Sequence, residues 1–286
     1  MVKIHVQINP AVNLFYHLER GGLSKRYIHV SPVEYRCSVL KITDKVLLDS
    51  FSFLLNQENL HSVIVKRIKD SKSPMEAKRN LTRAMNIYAS ELADIIHKAW
   101  PDYLQHFKEN VKPQLEEFEN KLRQIVPEIE GALNKLERLL GLRWKKEYNI
   151  YIIEPTSEYF KPCGDAIYDD GAVVEAHLDL KTNDLVDLIT HELAHSTFDP
   201  TILGFIPENL RKDFEYVDEA IIFLIVDTAM NYLKEPPDKE QYQDERSKKT
   251  AFYTAKFWER WQKRIGSVGK KGAFEDFLSN LLADNS

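Results

Sequence analysis

The chain has 286 residues, 43% of them hydrophobic and 29% charged, which is enough to bury a substantial core in one large domain or two small ones. A formal net charge of -5 gives no electrostatic ground for a nucleic-acid or membrane-surface partner, so neither is expected. The two cysteines, Cys37 and Cys163, exclude a disulfide scaffold and favour a reducing compartment.

The N-terminal stretch MVKIHVQINPAV lacks the basic start and uninterrupted apolar run of a secretion signal, so a cytoplasmic location is expected. Residues 2–8 alternate as a strand does, and Asn9-Pro10 punctuate the run before a helical stretch that ends at Gly21-Gly22. Leu47, Leu48, Phe51, Leu54 and Leu55 share one face of a helix expected in the first part of 44–70.

From Pro74 to Leu140 the pattern is helical, with Leu81, Ala84, Met85, Tyr88, Leu92, Ile95 and Ile96 at helical spacing. Pro101, Pro113 and Pro127 are expected to cut this region into successive helices, and Gly141 to stop the last of them. Tyr148–Ile153 and 172–180 read as strands, and Thr182-Asn183-Asp184 offer capping side chains for the helix that follows. A further helix is expected around 208–233. Its Ala220–Val226 run is too short to cross a bilayer and is bounded by Glu219 and Asp227, so it reads as buried. A polar stretch then leads to a final helical region, 250–283. This order implies an α+β fold, with a mostly helical N-terminal region over 1–140 and a second region over 141–286.

The most informative stretch is DLVDLITHELAHSTFDP, residues 184–200, which carries H-E-x-x-H. On a helix His191 and His195 lie one turn apart on the same face, where both imidazoles reach one cation with bonds of about 2.0–2.1 Å. Glu192 is rotated about a third of a turn away. It can therefore flank the ion without binding it and take a proton from water attacking a carbonyl carbon. Five residues recur by chance in roughly one chain in forty of this composition, so the surroundings matter. Leu188, Ile189, Leu193 and Ala194 make the helix apolar, and ionisable side chains on a buried helix need pairing or a metal.

These residues resemble the active-site helix of the zincin metallopeptidases, and the likeness covers roughly residues 145–235. The resemblance implies a zincin-like domain, a zinc ion held by His191 and His195, Glu192 as general base, and a peptide or protein substrate. It also implies that the strand before the motif pairs with extended substrate. The metzincin extension is absent, because Ser196-Thr-Phe-Asp-Pro-Thr201 supplies neither the glycine nor a third ligand. The deformylase-like cysteine does not fit either, since Cys163 lies in Lys-Pro-Cys-Gly-Asp and reads as an ordinary loop cysteine.

The gluzincin branch takes its third ligand from a glutamate on the next helix, and this chain offers Glu215 and Glu219. Glu219 is preferred because it opens the apolar run and is the deeper carboxylate, with Glu215 outside it or at the rim. For the group that stabilises the oxyanion, Tyr232, Tyr242 and Tyr253 are candidates and none is singled out. His177 reads as a structural strand histidine. Asp199 could accept a hydrogen bond from a ligand histidine, but Asp199-Pro200 is read instead as the end of the helix.

The functional expectation is a zinc-dependent peptidase or amide hydrolase. The alternative is a non-catalytic zincin-fold binding or scaffold protein, with 74–140 as its partner surface. Nothing in the sequence indicates the substrate's identity or the oligomeric state.

Overall fold

The computed structural model describes residues 2–21, 61–82, 87–141, 143–155, 164–167, 169–231, 233–266 and 274–283. The helix expected from residue 44 lies, up to residue 60, outside the described residues, as do Cys37, Cys163 and Tyr232. The architecture is mixed α+β, mostly helical with one four-stranded sheet. Among the described residues no helix is long and apolar enough to cross a membrane.

In chain order the elements begin with β1 (Lys3–Ile8), α1 (Pro10–Gly21), α2 (His61–Ile68), α3 (Pro74–Thr82) and α4 (Ile87–His106). A π-helical turn, Phe107–Val111, leads into α5 (Lys112–Leu140). Then come β2 (Glu147–Ile153), β3 (Gly164–Ile167), β4 (Gly171–Glu175) and α6 (Thr182–Phe205). A 3-10 turn at Glu208–Asp213 opens onto α7 (Phe214–Met230), followed by α8 (Glu245–Gly266) and α9 (Phe274–Ala283). Two compact units emerge, each drawing on both halves of the chain: 1–4, 125–148 and 181–286 form one, and 5–124 with 149–180 the other.

The second unit holds most of the sheet, in the order β1-β2-β4-β3. β4 runs parallel to β2 and antiparallel to β3. All of β4 is buried, which fits its unbroken apolar Ala172-Val173-Val174 run better than an alternating pattern would. Asp169, with φ 61°, makes the tight turn from β3 to β4. The strand expected over 172–180 stops at Glu175. The chain turns there, and Leu180 N–H bonds back to the His177 carbonyl at 3.3 Å. Lys121 donates to the Leu178 carbonyl at 2.7 Å. At the opposite strand's edge Asn9 caps α1, accepting from the Ala11 and Val12 amides at 2.9 and 3.1 Å.

The prolines do not divide 74–140 as the sequence suggested. Pro101 lies inside α4 and Pro127 inside α5, while Pro113 occupies the first turn of α5. Pro101 and Pro127 each remove one backbone donor at a cost of about 3 kcal/mol in a helix interior. The buried faces on either side, Ile96, Trp100 and Tyr103 in α4 and Ile125, Ile129 and Leu133 in α5, outweigh it. The interruption comes instead at the π-turn. Gly141 does end α5, with φ +71° and its amide on the Glu137 carbonyl at 2.9 Å.

The first unit is helical. α7 packs against both α6 and α8, and α9 against α6. The apolar run of α7 is fully enclosed, with Ala220, Ile221, Ile222, Leu224 and Ile225 all at zero exposure. Trp144, Phe198, Phe274, Trp261 and Phe277 form a chain of ring contacts with centroids 5.1–6.2 Å apart. Trp261 donates its indole N–H to Thr228 Oγ1 at 2.9 Å inside this core. α7 ends at Asn231 in the left-handed conformation, φ 60°.

Candidate metal centre

The site is built on α6 and α7, within the first unit. α6 starts at Lys181 without a side-chain cap, so the capping expected from Thr182, Asn183 and Asp184 is not used. It then runs straight through Asp199-Pro200 to Phe205. The expected stop at Pro200 does not occur. Ile202 beyond it is fully buried, and that packing holds the last turn in place.

Continuation of the helix sets the site's geometry. His191 and His195 stand a turn apart, with their Nε2 atoms 3.0 Å from each other. Glu219 Oε2, from α7, lies 3.5 Å from His191 Nε2 and 3.7 Å from His195 Nε2. Three ligands on a tetrahedral zinc ion with bonds of 2.0–2.1 Å stand about 3.3 Å apart. The three donor atoms therefore have the spacing of one face of such a tetrahedron, and the residues fit an ion.

The other nitrogen of His195 is held from behind. Its Nδ1 lies 2.8 Å from Asp199 Oδ1 and 3.2 Å from Asp218 Oδ2. Ionised carboxylates only accept, so Nδ1 carries a proton, and Nε2 is the nitrogen that faces Glu219 and His191 and could turn a lone pair on an ion held there. His195, Asp199 and Asp218 also lie close enough to hold an ion themselves. A neutral imidazole has one lone pair, however, so the two clusters compete for His195, and the Nδ1 side reads as its support.

Three carboxylates surround His195, and the electrostatics follow from that. Burial alone would lower the His195 imidazole, but hydrogen bonds to Asp199, Asp218 and Glu219 hold it well above its ordinary value. Burial would likewise raise Glu219, yet His191 and His195 hold its carboxyl far below the usual range. Asp218 is pushed up to about 6, chiefly by burial. Its Oδ1 has no hydrogen-bond partner among the described residues. This sheltered cluster of carboxylates and imidazoles could hold a cation.

Compared with family models, with curated proteins and with solved structures, the chain matches none.

The geometry separates the two candidate glutamates. Glu219 joins the histidines, whereas Glu215 has a side chain 61% exposed and contacts Arg246 at 3.2 Å. Arg246 also donates to Glu219 Oε1 at 2.9 Å, which occupies that oxygen and leaves Oε2 toward the imidazoles. Glu192 is partly exposed on α6, next to His191.

Of the tyrosine candidates, Tyr253 donates its hydroxyl to Asp213 Oδ2 at 2.8 Å, and Tyr242 is exposed. His177 pairs with the fully buried Glu175 at 2.7 Å, a structural contact in the second unit. Sequence reasoning set aside Asp199 and did not reach Asp218 or Arg246. Asp199 was findable, because i+4 from a ligand histidine is one turn away on the same face.

Proposed function

We propose that this protein is a zinc-dependent peptidase or related amide hydrolase of the zincin type, closest to the gluzincin arrangement. The observation that carries the reading is the triangle of His191 Nε2, His195 Nε2 and Glu219 Oε2, with His195 fixed from behind by Asp199. Zinc in such a site supplies a Lewis acid that acidifies water and polarises a carbonyl.

The chain's own residues do the rest. His191, His195 and Glu219 would hold the ion. Asp199 keeps the proton on His195 Nδ1, so that Nε2 stays a ligand. Arg246 neutralises the outer oxygen of Glu219 and keeps that carboxylate from turning. Glu192, adjacent in sequence but off the ligand face, takes the proton from the attacking water and passes it to the leaving amine. The substrate class is a peptide or protein.

The test is elemental analysis of tag-free protein purified without chelator, followed by peptide-library hydrolysis. The reading expects about one zinc at this site and cleavage that disappears in Glu192→Gln while the zinc remains. A chain that takes up no zinc when offered it, or a Glu192→Gln variant as active as the parent, would sink it.

A further inference from the structure

We propose that His17, His106 and Glu154 form a second and separate metal site, within the second unit, for a divalent first-row transition ion. One nitrogen of each imidazole and one oxygen of Glu154 lie within 4.8 Å of one another. All three residues belong to the second unit, whereas His191, His195 and Glu219 belong to the first.

Three elements bring them together. His17 is on α1, one turn beyond Asn13, so both residues share a face. Asn13 is fully buried and ties that face to the end of β2. Its amide donates to the Ile152 carbonyl at 2.9 Å, and its Oδ1 accepts from the Glu154 N–H at 3.1 Å. Glu154 is thereby held directly under His17, and the Glu154 carboxylate contacts His17 Nδ1. His106 is the last residue of α4, immediately before the π-turn at Phe107–Val111. Single π-turns inside helical segments recur at functional sites, where they re-aim a side chain.

Unmet bonding at this cluster points to a ligand. His106 Nε2 is buried and has no hydrogen-bond partner among the described residues. It lies 3.7 Å from Glu154 Oε2, too far for a hydrogen bond but close to the about 3.3 Å that separates two ligands of one zinc ion. The ring's other nitrogen meets the Asn110 side-chain amide at 3.3 Å, a group that can turn either end toward it. Tyr103, 3% exposed, packs its ring 4.8 Å from His17 and 6.1 Å from His106, and its hydroxyl is also without a partner among the described residues. Two imidazoles and one carboxylate converging on one sheltered point are a ligand set that a cation would join. Two imidazoles and one carboxylate suit zinc, manganese, iron or cobalt rather than calcium or magnesium, which prefer all-oxygen sites.

The experiment uses the full chain without a histidine tag, loaded separately with zinc and with manganese, dialysed, and assayed for metal per chain. Two equivalents of one of these metals are expected in the parent. Glu154→Gln and His106→Ala should each lose one equivalent, with affinity falling by roughly a hundredfold. His191→Ala/His195→Ala should lose the other and keep this one. If a cluster variant fails to fold, the thermal midpoint of His191→Ala/His195→Ala with and without metal decides instead, and a rise on adding metal is the expected result. No metal retained by that double variant and no midpoint shift would overturn the proposal, leaving an internal ion pair. Undiminished binding in both Glu154→Gln and His106→Ala would also overturn it. The first site can fail without the second, because one equivalent lost only with Glu154→Gln would leave this site standing alone.

Discussion

His195 Nδ1 and Asp199 Oδ1 stand 2.8 Å apart, one turn from each other on a helix that continues past Pro200. That hydrogen bond fixes which imidazole nitrogen faces His191 and Glu219. Removing it in Asp199→Ala should weaken zinc binding about 10–100-fold, the usual effect of losing the partner behind a ligand histidine. Competition titration against a chelator of known affinity measures this, and Asp199→Asn should fall between the parent and the alanine variant. Unchanged affinity in both would assign the bond to helix stability alone.

The two glutamates of α7 should behave differently. Glu219→Ala is expected to abolish stoichiometric metal at the His191–His195 site, because Glu219 Oε2 completes the triangle. Glu215→Ala should leave the metal in place, since its carboxylate reaches Arg246 and stands well exposed. Elemental analysis of both variants, each also lacking Glu154, isolates this site from the other cluster. Retention of metal by Glu219→Ala would move the third ligand elsewhere.

Glu192→Gln removes the base while preserving shape. Turnover of any cleaved peptide should drop about 10²–10⁴-fold with metal content unchanged, the scale of a general base in such chemistry. Steady-state kinetics beside elemental analysis separates this outcome from simple loss of the ion. Equal losses of metal and activity would make Glu192 a structural residue.

Tyr253 offers a pH test away from the metal. Burial, then its hydrogen bond to Asp213, pushes its hydroxyl from the ordinary 10 to about 12. A group whose folded value is raised stabilises the fold below its unfolded value and loses that contribution as pH climbs through the folded one. The window is therefore pH 10 to 12. The stability gap between the parent and Tyr253→Phe should be largest near neutral pH and shrink across that window, as read by urea midpoints. A gap that is constant with pH would mean the hydroxyl is not held in this way.

Gly171 opens β4 directly opposite Asn149 on β2. A Cβ placed there would sit 1.7 Å from the Asn149 carbonyl oxygen and 2.7 Å from its carbon, both backbone atoms. Gly171→Ala must therefore push the strands apart, and it should destabilise the fold by about 3 kcal/mol or more. Denaturant unfolding of the variant checks this, and a change under about 0.5 kcal/mol would mean that the strands yield easily.

The local code was legible wherever a single element decides the outcome. Alternation marked β1, the short apolar run Ile150–Ile153 marked β2, the 3.6-residue period marked the long helices, and Gly141 ended α5 as expected. The i, i+4 spacing of His191 and His195 placed their imidazoles together whatever the helix packs against, and the apolar run after Glu219 foretold a buried helix. Prolines misled, because a helix break is a local preference worth a few kcal/mol and a buried apolar face can exceed it. This is why Pro101, Pro127 and Pro200 all lie inside helices.

What only the tertiary structure decided is which side chains from different elements meet. The choice of Glu219 over Glu215 depends on the rotation of α7 against α6, Asp218 joins the site for the same reason, and Arg246 reaches it from α8. His17, His106 and Glu154 lie 89 and 48 residues apart along the chain, so no spacing rule connects them. Burial by several packed elements at once brings such groups within a few ångströms. That enclosure, absent from any local stretch of sequence, is what gathers ligating groups of distant origin at one point.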